Sequence, residues 1–213
     1  MTRPKLILVG GGGHCRSVID IIETLDTYDI AGILDRDDQA GRKVSGYMII
    51  GTDERIPELI HEGHHFLVSS GQISRSYLRT NLYGTIVQAG GVMATIVSPK
   101  AYIARYVQFG GGVSVGHGAV VNSGASIADN CIVNTGAIVE HDACVSAHCH
   151  IATGAIVNGG ASIGERTLIG SRAVILQGVS IGAGCVIGAG AVVLRDVADG
   201  QTMGGVPART LRP

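Results

Sequence analysis

A strict six-residue repeat runs through the C-terminal half of the sequence and leaves very few folds open. Steps of six from Val97 to Val193 meet an aliphatic residue, or once Phe109, without exception. The residue four places after each of these positions is always Ala, Val, Cys or Thr. An α-helix cannot keep a period of six, because its side chains return to one face after three or four residues. The repeat therefore predicts a coil of short strands and corners around a core of stacked apolar columns.

The geometry of such a coil follows from its unit. Each unit of six would form one short parallel strand and one corner, and three units would close one turn of a prism. The residue after the aliphatic position is mostly Gly, Ala, Ser or Asn, as a tight corner requires. Aromatic residues make up only 4% and Trp is absent, which suits a narrow interior of aliphatic side chains. With about 4.8 Å between coils, the prism would be about 27 Å long.

The first ninety residues follow a different pattern, in which strand-like and helix-like segments alternate. This order is typical of a small parallel α/β domain. We therefore expect a Rossmann-like α/β domain over residues 1–92 and a mainly β, β-helical domain over residues 93–213. The predicted strands cover residues 5–9, 30–34, 48–50, 66–69 and 85–88, and the predicted helices cover residues 14–25, 54–61 and 74–82.

A run of four glycines, residues 10–13, follows the first predicted strand and opens the first helix. Free backbone N–H groups and the positive end of the helix make this turn a candidate phosphate site. The dinucleotide fingerprint GxGxxG fails, because it would need glycine at Cys15 or at Arg16. Asp35 ends the second strand, where it either binds a base or ribose or belongs to a solvated turn.

Polar residues cluster at one place in the repeat region. A neutral imidazole suits the removal of a proton from an attacking amine, and an adjacent carboxylate would fix its tautomer. His141 has such neighbours in both Asp142 and Glu140, and the sequence leaves open which of them orients the ring. Gly159 lies eighteen residues, one coil, further on, where its N–H could stabilise a negative oxygen. The cluster comprises Asn134, Glu140, His141, Asp142, His148 and His150.

Charge and composition argue against several classes of function. A net charge of -1 without a Lys/Arg cluster argues against nucleic-acid binding. The apolar run at residues 6–9 is too short for a signal or membrane segment, so we expect a cytoplasmic protein with no membrane partner. The cysteines form no CxxC pair and are interpreted as small, reduced core residues. They are Cys15, Cys131, Cys144, Cys149 and Cys185.

Four motifs together resemble one family: GGGGH, IVSP, NTGAIVEHDACVSAHCH and GGVPAR. They are similar to the bacterial nucleotide-aminosugar N-acetyltransferases, which are hexapeptide-repeat proteins related to the sialic-acid O-acetyltransferases. The resemblance covers nearly the whole chain and implies a left-handed β-helix. It also implies that His141 is the general base and that Asp142 replaces a Glu in the relay position. His14, Asn134 and His150 fall on substrate-binding positions.

The family's ligands imply further roles. The sugar nucleotide would contact the first domain, and acetyl-CoA would bind as co-substrate between neighbouring prisms of a homotrimer, without a metal. The expected substrate is a 4-amino-4,6-dideoxy sugar on GDP or UDP, with GDP-perosamine the most specific candidate. The implied residues are Gly12, Gly13, Asp35 and Gly71 for the sugar nucleotide, and Gly159 and Arg209 for CoA.

Three other functions compete with amine acetylation. The first is acetylation of a sugar hydroxyl, because a histidine base serves either acceptor. The second is a zinc enzyme in which His141, His148 and His150 bind the metal. The third is a non-catalytic nucleotide-binding module, which would not need the histidine cluster.

Overall fold

The computed structural model describes residues 3–72 and 77–211. The chain divides into an N-terminal unit, Met1–Gly71 with Tyr77–Ile96, and a C-terminal unit, Val97–Pro213, which also includes Gln72. Within the described residues, none of the helices combines the length and the apolar character needed to cross a membrane.

The N-terminal unit is a six-stranded sheet with helices on both faces. Its strand order is β3-β4-β2-β1-β5-β6, parallel throughout except for the antiparallel pair β3–β4. The strands are β1 (Lys5–Val9), β2 (Asp29–Leu34), β3 (Lys43–Val44), β4 (Tyr47–Gly51), β5 (His65–Val68) and β6 (Val92–Met93). The helices are α1 (Gly13–Leu25), α2 (Ile56–His61) and α3 (Leu78–Gln88), with 3-10 turns at Asp37–Gln39 and Asp53–Arg55.

Alternation along β1 explains how this sheet is covered. Leu6 and Leu8 point to one face and pack in a core that includes the apolar stripe of α1. Ile7 and Val9 point to the other face, where they share a core with buried residues of α2 and α3. Because both faces are buried, β1 is apolar at four consecutive positions, as expected for a central parallel strand.

The strand predicted over residues 85–88 is wrong, since this segment is the last turn of α3. The β-branched residues suggested a strand, but the apolar spacing is helical. Arg79 and Ile86 are buried on α3, and Leu82 and Tyr83 pack beside them at the i+3 and i+4 positions. The predicted helix over residues 74–82 begins at Leu78 in the structure, and residues 73–76 lie outside the described residues.

The C-terminal unit is a parallel β-helix with three sheets along its sides. Most strands have two residues and pair in parallel with the strand eighteen residues further on, as in Ser126↔Cys144. The eight-stranded sheet contains β7 (Ile96–Val97), β10 (Ser114–Val115), β13 (Ile132–Val133), β16 (His150–Ile151), β19 (Leu168–Ile169), β22 (Val186–Ile187), β24 (Thr202–Gly204) and β25 (Arg209–Thr210). The six-stranded sheet contains β8 (Tyr102–Ile103), β11 (Val120–Val121), β14 (Ile138–Val139), β17 (Ile156–Val157), β20 (Val174–Ile175) and β23 (Val192–Val193). The five-stranded sheet contains β9 (Gln108–Phe109), β12 (Ser126–Ile127), β15 (Cys144–Val145), β18 (Ser162–Ile163) and β21 (Ser180–Ile181). At the end of the coil the pattern changes, because β22 pairs with β24 sixteen residues further on and β24 pairs with β25 antiparallel.

Both predicted columns form the interior of this unit. From Val113 to Val193 the aliphatic positions and the small positions four residues later are buried in one continuous core. Backbone N–H groups of each coil donate to carbonyls of the next, as in Val120 to Ala137 at 2.9 Å. Residues outside these columns form the corners and the outer surface of the coil. The candidate catalytic residues are among them.

The cysteine prediction holds with one exception. Cys15, Cys131, Cys149 and Cys185 are buried free thiols, and burial raises the pKa of Cys15 to about 11. Cys144 is exposed instead, because the first residue of a two-residue strand points away from the interior.

Candidate active site

His141 lies at the corner between β14 and β15, where the chain passes from the six-stranded to the five-stranded sheet. Its side chain is 58% exposed, so the imidazole is accessible to a substrate. The next residue, Asp142, has a φ of 58°, in the left-handed region that tight corners use. This turn places the carboxylate beside the ring of the preceding residue.

The imidazole has a defined orientation. Its Nδ1 lies 3.0 Å from Oδ2 of Asp142, and an ionised carboxylate can only accept, so Nδ1 carries the proton. The lone pair is then on Nε2, which is the atom that a base needs. Glu140 instead accepts a bond from the backbone N–H of His141 at 3.3 Å. Of the two carboxylates that the sequence left open, Asp142 therefore contacts the ring and Glu140 contacts the main chain.

Two glycines leave room for this pair on the neighbouring coils. A Cβ at Gly159 would lie 2.5 Å from Nε2 of His141, so the ring packs directly over the bare backbone of the next coil. A Cβ at Gly124 would lie 2.5 Å from Oδ1 of Asp142 on the preceding coil. Among the described residues, the N–H of Gly159 donates to no protein acceptor. Nε2 of His141 and the backbone of Gly159 therefore lie at the same corner.

Asn134 and His150 form a separate polar group on the eight-stranded sheet. Nδ2 of Asn134 lies 3.4 Å from Nε2 of His150, and Nδ1 of His150 donates to the carbonyl of Gln72 at 2.8 Å. The Asn134 amide is oriented by the N–H of Thr135, which donates to Oδ1 at 2.7 Å. His150 is buried on β16. Sequence reasoning missed Gln72, because nothing in the local pattern shows that it reaches the β-helix.

The three clustered histidines occupy different places on the prism. His141 lies at one corner, His148 lies at the next and contacts Asn130 at 2.9 Å, and His150 lies on a sheet face. Within the described part of the chain, no group of three or more His, Cys, Asp or Glu residues has the arrangement of a metal site. These histidines are close in sequence but occupy different parts of the prism, because each six-residue unit takes the chain around a corner to the next sheet.

The glycine turn in the N-terminal unit has an open and a closed part. Gly12 precedes α1 without a side-chain cap, and a Cβ at Gly12 or Gly13 would meet no atom within 4 Å. Gly10 has a φ of 107° and its α-carbon faces Ser70, so no side chain fits there. The open half presents the N-terminal N–H groups of α1 and is suited to bind an anion.

The other predicted nucleotide residues surround this turn. Oδ2 of Asp35 accepts the N–H of Gly11 at 2.8 Å, and Gly71 faces the side chain of His14, with 3.4 Å between a Cβ built at Gly71 and the Cβ of His14. Arg209 lies on β25 of the other unit, exposed, where it borders a cavity of about 290 Å³ that Arg195 also lines. The sequence indicated Arg209 but not Arg195.

Comparisons with known proteins agree with this architecture. Residues 5–84 match the family described as PglD N-terminal domain, and residues 160–195 match the family described as bacterial transferase hexapeptide (six repeats). No curated protein matches the sequence.

Solved structures extend the match to the whole chain. The H141N mutant of perosamine N-acetyltransferase from Caulobacter crescentus, in complex with CoA and GDP-perosamine, is 33% identical over 100% of this chain and 99% of its own, with a TM-score of 0.93. PerB from the same organism, with the same ligands, is 34% identical over 99% of both chains, with a TM-score of 0.91. The acetyltransferase domain of PglB from Neisseria gonorrhoeae, in complex with acetyl coenzyme A, is 33% identical over 99% of this chain and 100% of its own, with a TM-score of 0.90.

The chain belongs to the bacterial nucleotide-aminosugar N-acetyltransferases of the hexapeptide-repeat superfamily. The predictions of the family, of a mainly β fold with a left-handed β-helix and small N-terminal α/β domain, and of a sugar N-acetyltransferase are confirmed.

Proposed function

We propose that the protein transfers the acetyl group of acetyl-CoA to the amine of a GDP-linked 4-amino-4,6-dideoxy sugar, with GDP-perosamine the first candidate. The observation that carries this proposal is the corner at which Asp142 orients His141 over the bare backbone of Gly159. The relatives support the two substrates, since the Caulobacter crescentus enzyme was crystallised with CoA and GDP-perosamine, and the Neisseria gonorrhoeae domain with acetyl coenzyme A.

The proposed reaction is direct attack on the thioester. The neutral amine adds to the acetyl carbonyl carbon while Nε2 of His141 accepts the proton that the nitrogen loses. Asp142 keeps the proton of Nδ1 in place and stabilises the imidazolium that forms. The C–S bond then breaks, the carbonyl re-forms, and the imidazolium returns a proton to the departing thiolate of CoA. No acyl group is attached to the protein at any stage.

The oxygen of the attacked carbonyl becomes negative before the C–S bond breaks. We assign the donor to this oxygen as the N–H of Gly159, which has no protein acceptor among the described residues and belongs to the corner at His141. A backbone donor of this kind contributes roughly 10²- to 10³-fold to the rate, and a positioned base contributes roughly 10²- to 10⁴-fold. Asp142 and Gly159 therefore have distinct roles beside the same ring.

A histidine of the relative has also been exchanged, without any statement of its role. The Caulobacter crescentus enzyme was crystallised with both ligands as H141N and H141A mutants, and the exchanged histidine has the same residue number in that chain as His141 has here.

The nucleotide half of the substrate is assigned to the N-terminal unit. The open glycines Gly12 and Gly13, with His14 and Gly71 beside them, would hold the diphosphate through the N-terminal N–H groups of α1. Asn134 and His150 are assigned to the acceptor sugar. Arg209 is assigned to a phosphate of CoA, to which a guanidinium is well suited.

We further propose a homotrimer, on the basis of one face of the β-helix. The outward residues of the six-stranded sheet are all apolar and none of them is buried, whereas those of the five-stranded sheet are polar or small. Three copies can bury this apolar face around a threefold axis, and His141 at its edge would then lie next to a neighbouring subunit. The apolar column is Tyr102, Val120, Ile138, Ile156, Val174 and Val192, and the polar column is Gln108, Ser126, Cys144, Ser162 and Ser180.

Two measurements test this function. Light scattering should give the mass of three chains, and a fully active monomer would contradict a shared site. Purified protein with acetyl-CoA should convert GDP-perosamine to a product that carries one acetyl group on nitrogen, as mass spectrometry and NMR of the product would show. An acetylated hydroxyl would establish the O-acetyltransferase instead, and dependence on added zinc would establish the metal enzyme.

A further inference from the structure

His150 and Asn134 lie close together on the eight-stranded sheet, where Asn134 directly follows β13 and His150 begins β16. These two strands are neighbours, because Val133 pairs with Ile151. His150 is only 8% exposed, whereas Asn134 is half-buried and therefore accessible. Buried polar side-chain atoms are nearly always hydrogen-bonded, so both nitrogens of the His150 ring are expected to have partners.

Both ring nitrogens of His150 are engaged by protein atoms. Nδ1 lies 2.8 Å from the carbonyl oxygen of Gln72, which can only accept, so Nδ1 carries the proton. Nε2 of the neutral ring then holds a lone pair, and it accepts from Nδ2 of Asn134 in a long bond of 3.4 Å. Direct contact between the ring and the sugar would therefore break one of these bonds.

The side-chain amide of Asn134 has the complementary arrangement. Its Oδ1 accepts the N–H of Thr135 at 2.7 Å, which identifies the oxygen of the amide and leaves the nitrogen facing the imidazole. Nδ2 has two hydrogens, and one of them is donated to His150. Among the described residues, no protein atom accepts the other. Asn134 therefore has one donor available to a ligand, in an orientation that the two neighbouring groups fix.

We propose that His150 is a positioning residue, which holds Asn134 so that the second amide hydrogen binds a hydroxyl oxygen of the acceptor sugar. The carbonyl of Gln72 selects the tautomer of His150 that makes this orientation possible. This inference rests on the proposed function, because the ligand of Asn134 is the sugar of the same substrate. His150 serves the sugar through Asn134 and does not contact it.

The three hydrogen bonds can run in only one direction. If the proton of His150 moved to Nε2, Nδ1 would face the carbonyl of Gln72 as a second acceptor, and Nε2–H would face the donor Nδ2 of Asn134. Rotation of the amide would relieve this second conflict only by turning Nδ2 towards the N–H of Thr135. The carbonyl of Gln72 therefore fixes the orientation of an amide that lies two hydrogen bonds away.

The test compares GDP-perosamine with GDP, and calorimetry without acetyl-CoA measures the dissociation constant of each from the intact protein. Only GDP-perosamine contains the sugar that Asn134 is proposed to bind. Loss of one hydrogen bond between neutral groups weakens binding by about 5- to 10-fold. Asn134→Ala should therefore weaken the binding of GDP-perosamine by this factor and leave the affinity for GDP unchanged.

Two substitutions of His150 separate the two bonds of the ring. The amide of asparagine reaches the position of Nδ1 and still donates to Gln72, whereas the amide of glutamine reaches the position of Nε2 and still accepts from Asn134. His150→Asn should therefore weaken the binding of GDP-perosamine by about 5-fold, and His150→Gln should restore most of this affinity. The affinity for GDP should be unchanged in both variants.

Ser114→Ala is the matched control for these variants. Ser114 is buried two coils earlier in the same row of the eight-stranded sheet, because Ser114 pairs with Ile132 and Ile132 pairs with His150. This variant should bind both ligands as wild type does. Unchanged thermal stability and unchanged affinity for GDP show that each variant is folded.

The double variant of His150→Asn and Asn134→Ala decides whether the ring acts through the amide. Its loss of affinity for GDP-perosamine should equal that of Asn134→Ala alone. The proposal is overturned if the two losses multiply, if His150→Gln binds GDP-perosamine as weakly as His150→Asn, or if Asn134→Ala binds it as wild type does.

Failure of the proposed function is measured separately, because the dissociation constants do not depend on turnover. A protein that shows these affinities but forms no N-acetylated product would keep the positioning role of His150 and lose the reaction. A protein that acetylates GDP-perosamine but shows independent effects of the two residues would do the reverse.

Discussion

The glycine turn of the N-terminal unit and the β-helix corner at His141 both depend on glycines that lack a Cβ, but in opposite ways. At Gly12 and Gly13 a Cβ would meet nothing within 4 Å, so the space beside the backbone is open. At Gly159 a Cβ would lie 2.5 Å from the ring of His141, so the space is already filled by a side chain of the same protein. Gly12 and Gly13 therefore leave room for a ligand, whereas Gly159 leaves room for the ring of His141, the proposed base.

This difference predicts which kinetic parameter each region controls. A substitution in the open turn obstructs the ligand but not the fold, so it should raise KM for the sugar nucleotide. A substitution at the corner displaces or removes the base, so it should lower kcat. The following variants test the contrast, from the largest expected effect to the smallest.

His141→Asn should have the largest effect. The side chain is 58% exposed and lies outside the buried columns, so the fold should persist while the base is lost. We expect kcat/KM to fall by roughly 10²- to 10⁴-fold, with acetyl-CoA affinity retained. Steady-state kinetics and calorimetry measure both. His148→Asn, at a different corner, serves as the matched control and should keep kcat. Near-normal activity of His141→Asn would assign the base to another group.

Gly159→Ala should have the next largest effect, because the new methyl group displaces the imidazole. A displacement of about 1 Å can cost roughly 10²-fold in rate. We expect kcat to fall by this order, with an unchanged KM for the sugar nucleotide. In a His141→Asn background the same change should have little further effect, since the ring it displaces is absent. Fully additive losses in the double variant would show that Gly159 acts independently of His141.

Gly13→Val should have the smallest effect on the reaction and the most selective one. The added Cβ meets no protein atom within 4 Å, so thermal stability should change little, while close approach of the diphosphate is blocked. The KM for the sugar nucleotide should rise about 10-fold or more, with the KM for acetyl-CoA unchanged. Gly10→Ala is the contrast: its Cβ meets Ser70, so stability itself should fall. Equal rises in both KM values for Gly13→Val would contradict the assignment of the turn.

The sequence predicts the β-helix better than the α/β unit for a physical reason. In the coil, residues eighteen positions apart are neighbours, so the sequence alone predicts that His141 lies next to Gly159. In the structure the ring of His141 packs over that glycine. The α/β unit has no such period. A strand is predicted for residues 85–88, the last turn of α3, because Thr85, Ile86 and Val87 favour strands when isolated.

Counting alone could not predict contacts that depend on which corner a residue occupies. His141 and His150 are nine residues apart, yet one lies at a corner and the other on the face of another sheet. The contact of His150 with the Gln72 carbonyl joins residues 78 positions apart. No local pattern reports such a contact, because it depends on how distant segments pack.

The most direct test of the account is the pH dependence of kcat/KM for wild type and for His141→Asn. The sugar amine titrates by itself, and its contribution, measured separately, is common to both proteins. After that correction, wild-type kcat/KM should fall about tenfold per pH unit on the acid side, because the imidazole must be neutral to accept a proton. In His141→Asn this fall of kcat/KM at acid pH should be absent. If the corrected kcat/KM of the variant still falls at acid pH as in wild type, His141 is not the base.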